Sequence, residues 1–229
     1  MPRLPEVVRL QIASKHTTLI LEVYIISICK SGGIKLCGVL AAAAIIAAHS
    51  AKLHSSDTKK YGVVTLIDCR SILQPPLSRL HYGFYHSAIL NIHRVKGSEN
   101  VWDLAMTCYM DFADSKKCNK HFPDMADLNF LMSKAIDNPS LTASSSLLTV
   151  FEDPVLDDSL QMQRKIGAED YIGCASVHGV GPSLAIFDTI RDGRLDCTCV
   201  YPAPLHSRDQ ITELVQRMSR VLIDGVTLI

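Results

Sequence analysis

The residues that could do chemistry here are nine histidines, eight cysteines and 23 acids spread over 229 residues, and their spacing decides what they can do. A histidine held near an acid is the commonest general base. His54, His121 and His206 each have Asp three residues later, and no histidine has Asp four residues later. An activated serine needs a sharp turn around it, and Ser183 follows Gly-Pro without a Gly-x-Ser-x-Gly elbow. His86, His93, Asp188 and Asp196 would complete a triad only by chance placement. Cys197 and Cys199 alternate on an expected strand and so share a face, but a metal site needs two further ligands. No second Cys or His pair stands at suitable spacing, so no metal is expected. Gly179-Val-Gly181 lacks the third glycine and the strand-to-helix setting of a dinucleotide loop. Glu152-Asp153 and Asp157-Asp158 read as a solvated acidic loop rather than a paired acid/base site.

Composition narrows the classes. Lysine plus arginine equals aspartate plus glutamate at 23 each, so the net charge is zero. Nucleic-acid binding needs a cationic footprint to displace counterions, and none is expected here. Hydrophobic residues make up 48%, ample for a buried core. The uncharged, Ala-rich stretch Leu36 to Ala51 falls short of the roughly 20 apolar residues that span a membrane, so it reads as a core helix. The opening MPRLPEVVRL puts proline and charge where a secretory h-region would stand. With most cysteines in apolar runs such as TLIDCRS and YIGCASV, free buried thiols in a reducing cytoplasm are expected.

The elements that must position these residues follow from periodicity. VVRLQI at 7–12 reads as a strand and 15–30 as a helix closed by Ser31-Gly32-Gly33. LCGVLAAAAIIAAHSAKL at 36–53 is apolar all round and predicts a helix buried on most faces, its four alanines permitting close approach of a neighbour. Val63–Asp68 predicts a central strand ended by Gln74-Pro75-Pro76, and Phe84–Ile92 a second one. Ser98 is the expected cap of a helix over 99–118, with Trp102, Ala105, Met106 and Tyr109 in the core. A helix over 123–136, a polar linker over 140–146, strands at 147–151, 171–177, 184–190 and 195–201, and a last helix from Ser207 to about Leu222 complete the chain. Strands mixed with helices throughout predict an α/β layered sandwich.

Several of these segments carry a family pattern. YGVVTLIDCRSILQPPLSRLHYGFYHSAIL, GIKLCGVLAAAAIIAA, KHFPDMADLNFLMSKAIDNP, SVHGVGPSLAIFDT and CVYPAPLHSR together resemble the second domain of the CoA-dependent acyltransferases. These include the BAHD enzymes, the alcohol acetyltransferases and the condensation domains, and above all the plant condensation-domain-like acyltransferases. The resemblance runs over nearly all of 7–223 and implies the second domain of a chloramphenicol-acetyltransferase-like fold, a two-layer mixed-sheet sandwich over residues 1–229. It implies acyl transfer from acyl-CoA to an alcohol or amine. Acyl-CoA enters as cosubstrate, and no permanently bound cofactor is implied. In the family a His-x-x-x-Asp motif in the preceding domain supplies the base, and that motif is absent from this sequence. A truncated protein, inactive alone, is the resulting expectation; the alternative is a non-catalytic module that binds a partner, or itself, through the face a first domain would cover. The Asp-Phe-Gly-Trp-Gly motif of plant BAHD enzymes is also absent, as it is from condensation-type relatives.

The resemblance assigns roles residue by residue. Arg70 in Asp68-Cys69-Arg70 matches the arginine that pairs with the motif's Asp across the two domains. A local alternative stands beside it, in which Arg70 braces its own sheet through Asp68. His178, with Gly179 and Gly181, is a candidate contact of the substrate channel, or a loop histidine without a role in chemistry.

Overall fold

The computed structural model describes residues 5–10, 18–51, 58–78, 81, 83–138, 147–157, 160–167, 183–191, 194–203 and 205–227. A short strand, β1 (Pro5–Leu10), precedes two helices, α1 (Thr18–Gly32) and α2 (Leu36–Ser50). Gly33 ends α1 at φ 66°, a left-handed value that glycine takes without a Cβ clash. Next come β2 (Lys59–Asp68) and β3 (His86–Val95), antiparallel partners in which Asp68 faces His86 across the ladder. Two helices follow, α3 (Val101–Lys117) and α4 (His121–Asp137). β4 (Leu147–Phe151), β5 (Val155–Asp157), a short α5 (Leu160–Lys165), β6 (Leu184–Arg191), β7 (Arg194–Pro202) and α6 (Arg208–Thr227) complete the described chain.

The strands form one mixed sheet in the order β1-β7-β6-β4-β2-β3, with β5 also paired to β6. Its centre is parallel: β2 pairs with β4 and β4 with β6, so their carboxyl ends share one edge. Its flanks, β1–β7, β7–β6 and β2–β3, are antiparallel. One face of the sheet carries the main core. Val63, Leu148, Val150, Leu184, Ile186, Cys197, Cys199 and Tyr201 meet the helical layer there. This is the two-layer α/β sandwich that the sequence predicts.

α2 lies at the centre of the helical layer, and twelve of its fifteen residues are buried, as its unbroken apolar run requires. Gly38 explains how α3 comes so near: a Cβ there would stand 2.7 Å from the Ala105 carbonyl oxygen and 2.9 Å from Tyr109 Cβ. α6 buries Ile211, Val215, Met218 and Leu222 along one stripe. A capping box opens it, with Ser207 Oγ accepting from Gln210 N and Gln210 Oε1 from Ser207 N.

The exposed edge of β3 is closed by side chains. Asp124 Oδ2 accepts the outward Leu90 N–H at 2.7 Å, and Lys120 Nζ donates to the Leu90 carbonyl. Satisfying one residue's N–H and C=O in this way removes a template for edge pairing.

The structure corrects several local expectations. Asn100, not Ser98, caps α3, its side chain accepting from Trp102 N at 2.8 Å. Met106 is exposed, because the helix stripe that meets the core runs through Leu104, Ala105, Cys108 and Phe112. β2 ends at Asp68, before the two prolines, because a 3-10 turn at Arg70–Ile72 already turns the chain. β5 and α5 are additions that no periodicity announced. The expected linker at 140–146 and strand at 171–177 lie outside the described residues. Among the described residues no single helix is long and apolar enough to cross a membrane; the bent pair Val23–Gly32 and Leu36–Ser50, at 111°, passes that test only jointly.

Candidate functional site

The carboxyl edge of β2, β4 and β6 gathers most of the polar chemistry. The loop between β2 and β3 leaves at Cys69 and returns at Tyr85, and Arg70 ties its two ends together. Its Nη1 donates to Asp68 Oδ2 at 3.1 Å, and the Arg70 backbone N–H donates to Asp68 Oδ1 at 3.0 Å. Nε and Nη2 both donate to the His81 carbonyl at 3.3 Å, and Nη2 also donates to the Gly83 carbonyl at 2.9 Å. The guanidinium carbon lies 4.9 Å from the Tyr85 ring centroid, a cation–π contact. A guanidinium has five N–H donors. Among the described residues these four bonds leave one Nη1 hydrogen without an acceptor. Burial works against ionisation of Asp68, but the Arg70 amide and guanidinium outweigh it and hold the carboxyl below its ordinary value.

His86 sits across from Asp68 in a row of aromatic rings. Its centroid is 4.8 Å from Phe84 and 5.5 Å from Phe151, which in turn lies 5.1 Å from Phe187. Burial lowers the His86 pKa; the Asp68 charge opposes the shift and the Arg70 charge adds to it, so the ring is neutral near pH 7. Its Nδ1 is buried without a partner among the described residues. His86 thus has the protonation state of a base, while Asp68 is engaged with Arg70. Sequence reading left His86 aside. The signal that finds it is register: Asp68 closes one strand, His86 opens the next, and the two are ladder partners.

Around this loop the surface is apolar. Ile72, Phe84, Val155 and Leu156 are each more than half exposed, at 52%, 69%, 61% and 57%. Beside it lies a groove of about 480 Å³ walled by Ile72, Leu73, Phe122 and Met125, with Cys69 and His121 at its base. His121 is 5% exposed, and neither ring nitrogen has a hydrogen-bond partner among the described residues. Asp124, three residues on, turns away from that ring to Lys120 and Leu90. The His-x-x-Asp spacing therefore builds no dyad here.

On the helix-covered face of the same edge, Glu152 contradicts the expected solvated acidic loop. It is buried, and it bonds Lys116 Nζ at 2.7 and 2.6 Å and Lys35 Nζ at 2.8 Å. The physical reason is strand parity, which turns Glu152 towards the helices after Leu148 and Val150. Asp153 remains exposed and takes a second bond from Lys35 at 2.9 Å. Nearby Asp188, 2% exposed, finds no hydrogen-bond partner among the side chains of the described residues, and only its own backbone amide works against the effect of burial. Burial pushes its carboxyl up to about 7, and the Asp153 charge adds to that.

The remaining candidates do not assemble. Ser183 is at the amino end of β6, while His86 and Asp188 lie towards the carboxyl edge. His93 is buried against Asp111, Nδ1 to Oδ2 at 3.4 Å, and Asp196 is bound to Arg9. Burial pushes the thiol of Cys29 up to about 11 and those of Cys108 and Cys199 up to about 12, which makes them poor nucleophiles. His178, Gly179 and Gly181 lie outside the described residues.

No family model and no curated protein matches the sequence. Solved structures do match. The trichothecene 15-O-acetyltransferase TRI3 from Fusarium sporotrichioides superposes with a TM-score of 0.68 at 13% identity, over 98% of this chain and 48% of that one. The epimerization domain from the third module of tyrocidine synthetase B gives 0.62 at 11% identity, over 98% and 48%. The X-domain from teicoplanin biosynthesis, solved as a complex with OxyB, gives 0.57 at 14%, over 97% and 45%. The chain has the fold of the acyltransferase and condensation domains, and it spans about half the length of these solved proteins.

Proposed function

We propose that these residues form the half of an acyl-transfer fold that walls the substrate channel, and that the general base comes from a complementary half bearing His-x-x-x-Asp. The observation that carries this reading is the coincidence of a braced arginine loop with an exposed apolar rim at one sheet edge. The spare Nη1 hydrogen of Arg70 points to a single further acceptor, which suits one carboxylate oxygen of the motif's Asp. The groove beside Ile72 and Phe122 then belongs to the channel wall. The reaction is attack of an alcohol or amine on the acyl-CoA thioester, with the incoming histidine removing the proton. The plant condensation-domain-like motifs favour that subfamily, and the free, mostly buried cysteines favour a cytoplasmic setting. Purified chain mixed with acyl-CoA and an alcohol should release no free thiol above the uncatalysed rate, and adding a His-x-x-x-Asp half should restore release. Base catalysis contributes about 10²–10⁴-fold, so the contrast is measurable. Acceptor-dependent turnover by the chain alone, lost in His86→Ala, would overturn this assignment and make His86 the base.

A second reading is supported by the same rim. A module with four exposed apolar side chains at one edge suits protein binding without catalysis, and the solved X-domain bound to OxyB is a domain of this fold held in a complex. Self-association of the chain through that rim, with dye binding to the apolar surface and no gain of activity from any added half, would favour it.

A further inference from the structure

α4 carries a stripe that the acyl-transfer reading uses only at one end. Phe122, Met125, Asn129, Met132 and Ile136 recur at alternating steps of three and four, the a/d spacing of a helix–helix seam. On a straight helix such a stripe drifts by only about 20° per heptad, so it keeps to one face here. Its apolar members Phe122, Met125, Met132 and Ile136 are 65%, 44%, 45% and 69% exposed.

The body of the protein holds only the start of this helix. Asp124 and Lys120 bind Leu90, and the His121 carbonyl accepts from Ser87 Oγ at 2.9 Å. From Asn129 to Asn138 every side chain among the described residues is exposed. The ionised residues stand off the seam. Lys134 lies over the Phe130 ring, 5.7 Å from its centroid, while Ala126, Leu128 and Ser133 beside the seam are uncharged. Like charges therefore do not oppose the pairing of this stripe with itself.

Asn129, the middle member of the stripe, selects the partner. Its backbone carbonyl accepts from Ser133 Oγ at 2.9 Å, and its side-chain amide has no partner among the described residues. Under an apolar partner that amide would be buried unsatisfied. In a parallel two-fold pair each seam residue meets its own counterpart, so the amide meets a group that both donates and accepts. A single Asn at an a position fixes register and stoichiometry in this way. The area is sufficient. At roughly 100 Å² for each half-open large side chain, these four with Ile72 and Leu73 across the groove cover roughly 1,200 Å² in a pair, the lower limit of a stable interface.

We propose that α4 pairs with α4 of a second copy of this chain along this stripe, Asn129 against its counterpart. The proposal does not rest on the acyl-transfer reading. It describes the chain without a complementary half, because Phe122 and Met125 also wall the groove given to the channel. The test is sedimentation velocity of the full chain over a wide concentration range, where a monomer–dimer equilibrium is expected. Met132→Lys combined with Ile136→Lys should weaken the dimer at least tenfold with an unchanged circular dichroism spectrum, since both side chains are exposed. Asn129→Leu should tighten association several-fold and add larger oligomers, because the amide that fixes register is gone. Val155→Glu, at the separate apolar rim, should leave the dimer unchanged. A monomer at every concentration overturns the proposal. So does a dimer that survives the double lysine variant, weakens in Asn129→Leu, or dissociates in Val155→Glu.

Discussion

Asp68 and Asp188 stand at the same carboxyl edge of one sheet, on strands two places apart, and their surroundings treat them in opposite ways. Asp68 is half-exposed and fully engaged, with one oxygen on the Arg70 amide and the other on its guanidinium, and its carboxyl is held low. Asp188 is buried with no side-chain partner among the described residues, and its carboxyl is pushed up to about 7. The difference lies in the strand face each residue occupies. Asp68 ends its strand where a loop can bring an arginine round. Asp188 points into the helical layer near Cys37, at the start of α2, where both lysines close to the edge already serve Glu152. The engaged acid fixes Arg70 next to an exposed apolar rim. The orphan acid makes the layer beneath that rim sensitive to pH.

The largest effect expected from this contrast is at Asp188. Its folded pKa, about 7, lies above the ordinary 3.8. Between those values the native state keeps a proton that the unfolded chain has lost. Stability therefore falls as pH rises through that window and levels off above it. A shift of about three units is worth up to about 4 kcal/mol at 1.36 kcal/mol per unit. Asp188→Asn removes the ionisation, so denaturant melts should show the variant several kcal/mol more stable than the parent at pH 8 and nearly equal at pH 4. Equal stabilities at both pH values would mean that Asp188 finds a partner in solution.

Gly38 tests how firmly the roof over that acid is fixed. It is in the first turn of α2, and a methyl there meets the Ala105 carbonyl. Gly38→Ala should cost about 1–3 kcal/mol by overpacking, read as a lower denaturation midpoint with an unchanged slope. A neutral or stabilising result would show that α2 and α3 separate easily.

Arg70→Ala is smaller because the ion pair with Asp68 is partly exposed. We expect about 1–2 kcal/mol of lost stability, mainly from the His81 and Gly83 carbonyl bonds. The sharper readout is titration. Asp68 is depressed by Arg70, so the pair's contribution is present above the unfolded carboxylate pKa and fades as pH falls through the folded value. NMR should show the Asp68 pKa rising in Arg70→Ala, with Arg70→Lys recovering little, since an ammonium cannot reproduce the planar fork. An unmoved Asp68 would break the comparison from its engaged side.

The smallest effect concerns thiols. Iodoacetamide labelling mapped by mass spectrometry should modify exposed Cys118 early, with buried Cys197 and Cys199 protected until unfolding. Early modification of Cys197 or Cys199 would mean that the helical layer opens readily.

Much of the frame was legible in the sequence. The strand at 147–151 and the helix starting at Arg208 fall where turn and cap signals place them, because these are local choices. The unbroken apolar run of α2 announced its burial for the same reason. What escaped were choices between partners. Ser98 and Asn100 are both good caps two residues apart, and only the path of the chain selects Asn100. Glu152 and Asp153 look alike in sequence, but strand parity buries the first and leaves the second in water. At Arg70 the sequence left two roles open. Its observed contacts, with Asp68 and with carbonyls 11 and 13 residues away, are properties of a closed loop rather than of a spacing. His86 was named only as a chance triad member, and its place beside Asp68 escaped because that tie exists only across the ladder.

In the proposed function, the edge bearing Arg70, Phe84, Val155 and Leu156 meets a complementary half of the same fold. Hydrogen exchange of the chain with and without a His-x-x-x-Asp-bearing half tests it most directly. Slowed exchange is expected over 69–86 and 151–157, with no change over residues 44–48 and 206–214 at the opposite end. Protection confined to that opposite end, or none at all in a mixture that turns over acyl-CoA, would contradict it.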